Sequence, residues 1–382
     1  MNKKILPLLG LCVGALCLLG LVMLYSTAFT AKDQERVHAQ LIYLAVGLVI
    51  APLLVRLDYH WLQRRAVLYV LGGICLLLLV AVYIPGVGVQ VNGSNRWVRG
   101  LGQPSELAKP VVILLLSAYL CRLNQWKAVM WKPGFLWPLL LGAVPAGLIF
   151  CEQDWGTATL LLLLTLTMLL ISGARWQHLA LTIISALPVA AVLVAHNAVR
   201  LERIMVFLDP EAARHGAGRQ VWQSLLAIGS GGMKGHFLDG SLHKFGYVPE
   251  QQTDFIFARI GEEMGLWGTS LVVLLFLGIF LVGLHTMKHA RDRFGQFIAA
   301  GCTTVIALQA CINMAVSTSL VPNEGLPLPF MSYGGSGLLA MFVCVGLLGS
   351  VAWRAKEAKD ETEAPTRPQT AGIQLKLSLN VP

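Results

Sequence analysis

ILPLLGLCVGALCLLGLVML, Ile5–Leu24, is an apolar run without a single charge. At about 1.5 Å of rise per helical residue it matches the ~30 Å hydrocarbon core of a bilayer. It is too long for the apolar region of a secretory signal, and Gly, Cys and Met continue it with no A-x-A cleavage site. It therefore reads as a first transmembrane helix. Working outward, similar runs follow at 41–55, 67–84, 107–120, 135–150, 157–171, 178–194, 264–284, 297–320 and 337–353. The expected fold is an all-α polytopic membrane protein of about ten spans, since runs this long and apolar suit helices that satisfy their own backbone in lipid.

Composition agrees. The chain has 382 residues, 56% of them hydrophobic and only 13% charged, where soluble domains carry about 25% charge. The net charge of +9 is spread over short loops and makes no basic patch interleaved with aromatics, so nucleic acid is not an expected partner. The eight cysteines lie in or beside apolar runs with no CxxC or Cys/His cluster, which argues against disulfides and zinc.

The loops give sidedness. Lys3 and Lys4, Arg56, Arg64 and Arg65, Arg122, Lys127 and Lys132, Arg175, Lys288, Arg291 and Arg293, and Arg354 and Lys356 fall on one side, which the positive-inside rule makes cytoplasmic. Both termini then lie inside. Residues 1–355 form the expected transmembrane domain, and 356–382 read as a disordered cytoplasmic tail. The outer face receives the 85–106 loop, the Glu152–Gly156 turn, a large segment (195–263) between spans seven and eight, and the 321–336 loop.

The unusual chemistry gathers on that outer face. Arg96-Trp97, in a loop or hairpin, reads either as an interfacial anchor or as a guanidinium and ring for phosphate and sugar. Ser105-Glu106 is placed to open the next span, and Lys109 one turn on either pairs with Glu106 or serves function. Asp154 either caps the following helix or joins the site. Arg200 and Arg203 contact either a diphosphate or lipid headgroups, and Lys244 adds charge near Asp254. The stretch 219–232 reads as a surface helix ending at Gly231-Gly232.

Asp254 precedes FIFARIGEEMG, where it is either an N-cap or an ionisable group at a membrane boundary. Glu262 and Glu263 further on are expected to be buried beside Arg or Lys. VPNEGLPLPFMSYGGSG (321–337) cannot be a simple helix; it is a folded loop whose amides near Ser332, Gly334, Gly335 and Ser336 are candidates to face an anion.

NRW (95–97), QPSELAK (103–109), QDWGTA (153–158), QSLLAIGSGG (223–232), VPE…TDFIFA…GEE (248–263) and LPLPFMSYGGS (326–336) together resemble the SEDS family of bacterial cell-wall proteins. The GEE ending resembles its division branch more than its elongation branch. Departures are Asn323-Glu324, Gln251-Gln252 and Gly337, which bear on substrate or partner preference. The resemblance implies a glycosyltransferase that polymerises lipid II at the outer face of the bacterial cytoplasmic membrane. It implies Asp254 as general base for the acceptor hydroxyl, with Arg96, Lys109, Arg200 and Arg203 supporting the departing diphosphate. A class B penicillin-binding protein and division-complex regulators are the implied partners. No ligand cluster announces a metal, though Mg or Mn bridging the diphosphate is compatible with the chemistry. The competing readings are a lipid II flippase using Glu106/Lys109, an elongation-type polymerase, and a scaffold for a transpeptidase.

Overall fold

The structure is a computed structural model that describes residues 5–26, 31–91, 94–100, 102–216, 218–236 and 254–362. Its helices are α1 (Ile5–Ser26), α2 (Ala31–Arg56), α3 (Tyr59–Leu62), α4 (Arg65–Ala81), α5 (Pro104–Leu120), α6 (Gln125–Val129) and α7 (Trp137–Cys151). They continue with α8 (Trp155–Ser172), α9 (Trp176–Ala195), α10 (Ala198–Leu208), α11 (Arg219–Gly231), α12 (Ile256–Lys288), α13 (Arg293–Ser317) and α14 (Gly335–Thr362). A π-helical stretch, Trp131–Leu136, leads into α7. Among the described residues eight helices are long and apolar enough to cross a membrane, and α4 is a shorter apolar one.

The central helix is α5. It has seventeen residues, thirteen of them buried, against α4, α7, α8, α13 and α14. That shielding explains how a helix carrying Glu106 and Lys109 resides in an apolar body. By contrast, Leu179 is the one buried residue along α9, so its apolar surface suits lipid. Glycines set the closest approaches. Gly47 faces the Phe342 ring and Gly346 faces Leu54, which lets α2 and α14 meet along their length.

Several boundaries differ from the reading of apolar runs. Helix α2 begins at Ala31, ten residues ahead of the expected span, because helicity continues through its polar AKDQER turn. Helix α14 continues to Thr362, past the expected start of the tail at 356. The 85–106 loop contains an antiparallel hairpin of β1 (Gly88–Val91) and β2 (Ser94–Val98). Helix α12 runs for 33 residues but breaks at Gly265 (φ 62, ψ −155), so a short buried segment precedes its long span. In that segment Arg259 pairs with Glu262 (3.1 Å) and Glu263 (2.6 Å), all three buried, as expected for carboxylates at this depth. Ser26 at the end of α1 donates to Glu263 (2.8 Å).

The two ends of the bundle gather different loops. At one end Arg354 meets Asp58 (3.3 Å), His60 lies 3.5 Å from Asp292, and Arg293 donates to the Leu123 carbonyl (2.6 Å). These belong to the basic loops. The acidic turns, the hairpin and the 321–336 loop meet at the other.

Candidate active site at one end of the bundle

Residues 323–328 form a strap in which nearly every position is held. The Asn323 carbonyl accepts from Arg203 Nη1 (2.8 Å). The Glu324 carboxylate pairs with Arg200 Nη1 at 3.3 Å. Gly325 has φ +68, and a Cβ built there would stand 3.3 Å from Asp254 Oδ2, so the carboxylate lies against this glycine. Asn313 Nδ2 donates to both the Leu326 and Asp254 carbonyls, each at 2.8 Å. Gln309 Nε2 donates to the Pro327 carbonyl (2.8 Å), and the Leu328 amide to Ser332 Oγ (2.8 Å). Gln309 and Asn313 are four apart on α13 and so share a face.

Asp254 is half-buried, while Phe255 and Ile256 behind it are buried. The N-cap of α12 is Phe255, one residue later than the capping reading of Asp254 placed it. Asn313 fixes the Asp254 backbone, and its carboxylate meets the strap at the edge of the apolar body.

The Glu152–Trp155 turn supplies the second wall. Gln153 has φ 63, and its carbonyl accepts from Arg96 Nη2 (3.3 Å) and Arg200 Nη2 (3.1 Å). Arg200 also lies 4.7 Å over the Trp155 ring, itself stacked on Phe150. Asp154 both caps and connects. Its Oδ1 accepts from the Thr157 amide (3.2 Å), and its Oδ2 from Gln103 Nε2 (2.9 Å) and Ser105 Oγ (3.5 Å). Arg96 Nη1 stands 4.0 Å from Asp154. Neighbouring Glu152 is buried with neither carboxylate oxygen hydrogen-bonded. Burial first, then Asp154, raises its pKa to about 8 against the opposing pull of Arg96, so it holds a proton at neutral pH.

Some expected roles change. Gln103, not Ser105, is the N-cap of α5, and Ser105 turns toward Asp154 instead. Lys109 is fully buried and held by both Glu106 oxygens and by Gln309 Oε1, each at 2.8 Å. The loop amides expected to face an anion are partly consumed by packing. The Ser332 amide donates to the Leu328 carbonyl (3.1 Å) and the Gly334 amide to Gln40 Oε1 (3.3 Å). Ser336 Oγ accepts from the Gln103 amide (3.0 Å), and Gly335 packs under Tyr43. Ser332 to Ser336 therefore lock the loop onto α2 and α5. Trp97 neighbours Arg96 on β2, so their side chains leave opposite faces of the hairpin, and Trp97 remains exposed. Lys244 lies outside the described residues.

The structure thus joins Asp254, Arg200 and Arg203 through the strap, and Arg96, Asp154 and Ser105 through the turn. Gln103, Gln153, Gln309 and Asn313 make those joins and were not singled out from the sequence. Among the described residues no group of three or more His, Cys, Asp or Glu side chains could hold a metal ion.

The fold and this site define a polytopic helical membrane protein with a carboxylate and an arginine cluster at one end of the bundle. The chain belongs to the FtsW/RodA/SpoVE family of cell cycle proteins, whose model matches residues 7–357. It is 38% identical over 351 residues to a probable peptidoglycan glycosyltransferase FtsW of Trichlorobacter lovleyi, covering 90% of this chain and 91% of that one. It is 37% identical over 364 residues to stage V sporulation protein E of Bacillus subtilis, covering 92% and 98%. Among solved structures it resembles a chain of a peptidoglycan synthase complex that coordinates polymerization and crosslinking (TM-score 0.75, 27% identity, 91% and 97% covered). It also resembles RodA of Thermus thermophilus (TM-score 0.65, 26% identity, 90% and 95% covered).

Proposed function

We propose that this chain is a peptidoglycan glycosyltransferase of the bacterial cytoplasmic (inner) membrane that polymerises lipid II at its outer face for septal wall synthesis. The observation that carries the reading is the strap, which ties the Asp254 carboxylate and the Arg200/Arg203 pair to consecutive residues. Glycosyl transfer from a lipid diphosphate needs a base and an anion site held at a fixed separation.

Asp254 removes the proton from the acceptor sugar's 4-hydroxyl as that oxygen bonds to the donor's anomeric carbon. The bond to the diphosphate breaks, and its charge is met by Arg96, Arg200 and Arg203. With one base and a single displacement, the configuration at that carbon inverts. Lys109 is sealed by Glu106 and Gln309, so it supports the central helix rather than the leaving group. That sealing also disfavours the pair as a flippase pathway.

The catalytic unit is residues 1–355, with the external segment 195–263 carrying Asp254. The likeness to a synthase complex supports a class B penicillin-binding protein as partner. Relatives named FtsW support the division role, and depletion then gives filaments rather than round cells.

The test is polymerisation of lipid II by the purified protein with its cognate transpeptidase. Asp254→Asn is expected to lose roughly 10²–10⁴-fold in rate while folding normally. Unchanged polymerisation in that variant removes Asp254 as the base.

A further inference from the structure

The corner where the strap meets α10 brings together Arg96, Arg200 and Arg203. Asp154 and Glu324 face them, and they are committed to different degrees. Asp154 is filled by the Thr157 amide, Gln103 and Ser105. Glu324 makes an ion pair with Arg200 at 3.3 Å, and its side chain keeps 31% exposure against 10% for Arg200. Arg200 is otherwise held by the Gln153 carbonyl and the Trp155 ring, neither of which is an anion.

The pairing does not repay the burial of its members. Burial raises the Glu324 pKa despite Arg200 and Arg203, and burial together with Arg203 lowers that of Arg200 despite Glu324. A phosphate group carries more charge and offers the bidentate geometry that guanidinium prefers. Glu324 is therefore an accessible, weakly held anion on a cation suited to a stronger one.

We propose that Glu324 sets the substrate affinity of this site, its carboxylate occupying Arg200 in place of the donor's diphosphate and yielding when that diphosphate binds. The inference rests on the glycosyltransferase reading of the same residues.

The experiment compares wild type with Glu324→Gln and Glu324→Ala, two neutral variants, so that a folding failure in one leaves the other to decide. Binding of inorganic diphosphate to the purified full-length protein is measured by calorimetry without turnover. KM and kcat for lipid II are measured separately. Both neutral variants are expected to bind diphosphate roughly 3- to 10-fold more tightly, with KM for lipid II falling in parallel. Unchanged diphosphate affinity with lowered kcat or stability makes Glu324 a structural strap residue and overturns the proposal. Nanodiscs of phosphatidylglycerol and of phosphatidylcholine separate the donor from the bilayer. If the variants' gain in diphosphate affinity vanishes in phosphatidylglycerol alone, the site belongs to lipid headgroups and the donor assignment fails. Wild-type protein that binds diphosphate but never polymerises removes the glycosyltransferase reading and leaves the binding comparison intact.

Discussion

Two neighbouring carboxylates, Glu152 and Asp154, are buried on opposite terms. Asp154 is filled by donors, whereas Glu152 has none and avoids the cost by holding its proton. In the unfolded chain Glu152 titrates near its ordinary value of about 4.5, and in the folded chain at about 8. Between those values the unfolded state binds fewer protons, so stability falls as pH rises and levels off above the folded value. Glu152→Gln keeps the neutral shape and removes this loss. Its melting temperature is expected to exceed that of wild type by roughly a few degrees at about pH 8, with a smaller gap at about pH 5. Equal gaps at both values rule out a protonated Glu152. Asp154 and Asp254 were legible in the sequence because a carboxylate beside an apolar run is an outlier. Gln103, Gln153, Gln309 and Asn313 were not, because an uncharged amide stands out only once its partner is known. Asn313 meets Asp254 across 59 residues, and nothing local signals it.

At the scale of elements, apolarity located the helices but not their ends. It missed the first turns of α2, whose polar residues continue a helix beyond the apolar run. It did find the end of α11 at Gly231, where Gly232 takes φ 53. The break in α12 was legible only in outline, as the FIFARIGEEMG stretch between the capping reading of Asp254 and the span at 264–284. Its physical reason is a close backbone crossing: a Cβ on Gly265 would stand 2.5 Å from the Gly235 amide nitrogen and 2.8 Å from that of Lys234. Gly265 also adopts φ 62, ψ −155, a region open essentially to glycine. Gly265→Ala is therefore expected to cost roughly 3 kcal/mol or more, strain and clash together, and to lower the melting temperature of the purified protein sharply. Gly147 in α7 has nothing within 4 Å of its Cβ position, and Gly147→Ala should gain about 0.5–1 kcal/mol. Similar melting temperatures for the two variants would dismiss the crossing as the reason for the kink.

Over the whole molecule, the segregation of charge along the chain reappears as segregation in space. Arg354, the Asp58–His60 turn and the Asp292–Arg293 turn are far apart in sequence and meet at one end. The hairpin, the Glu152–Trp155 turn, α10 and the strap meet at the other. Short basic loops recurring at every second connection made this division readable before any helix was placed, because each span reverses the side. Which end faces outward follows from the positive-inside rule rather than from packing, and the chemistry depends on it. Exposed positions at the two ends decide the matter: Trp126 (89% exposed) among the basic loops, and Glu211, whose side chain is 68% exposed, after α10. In a cysteine-free background, Glu211→Cys is expected to react with a membrane-impermeant maleimide on intact spheroplasts. Trp126→Cys should react only after permeabilisation. The reverse pattern would put Asp254 and the arginines in the cytoplasm, away from lipid II at the outer face, and the polymerase reading could not stand.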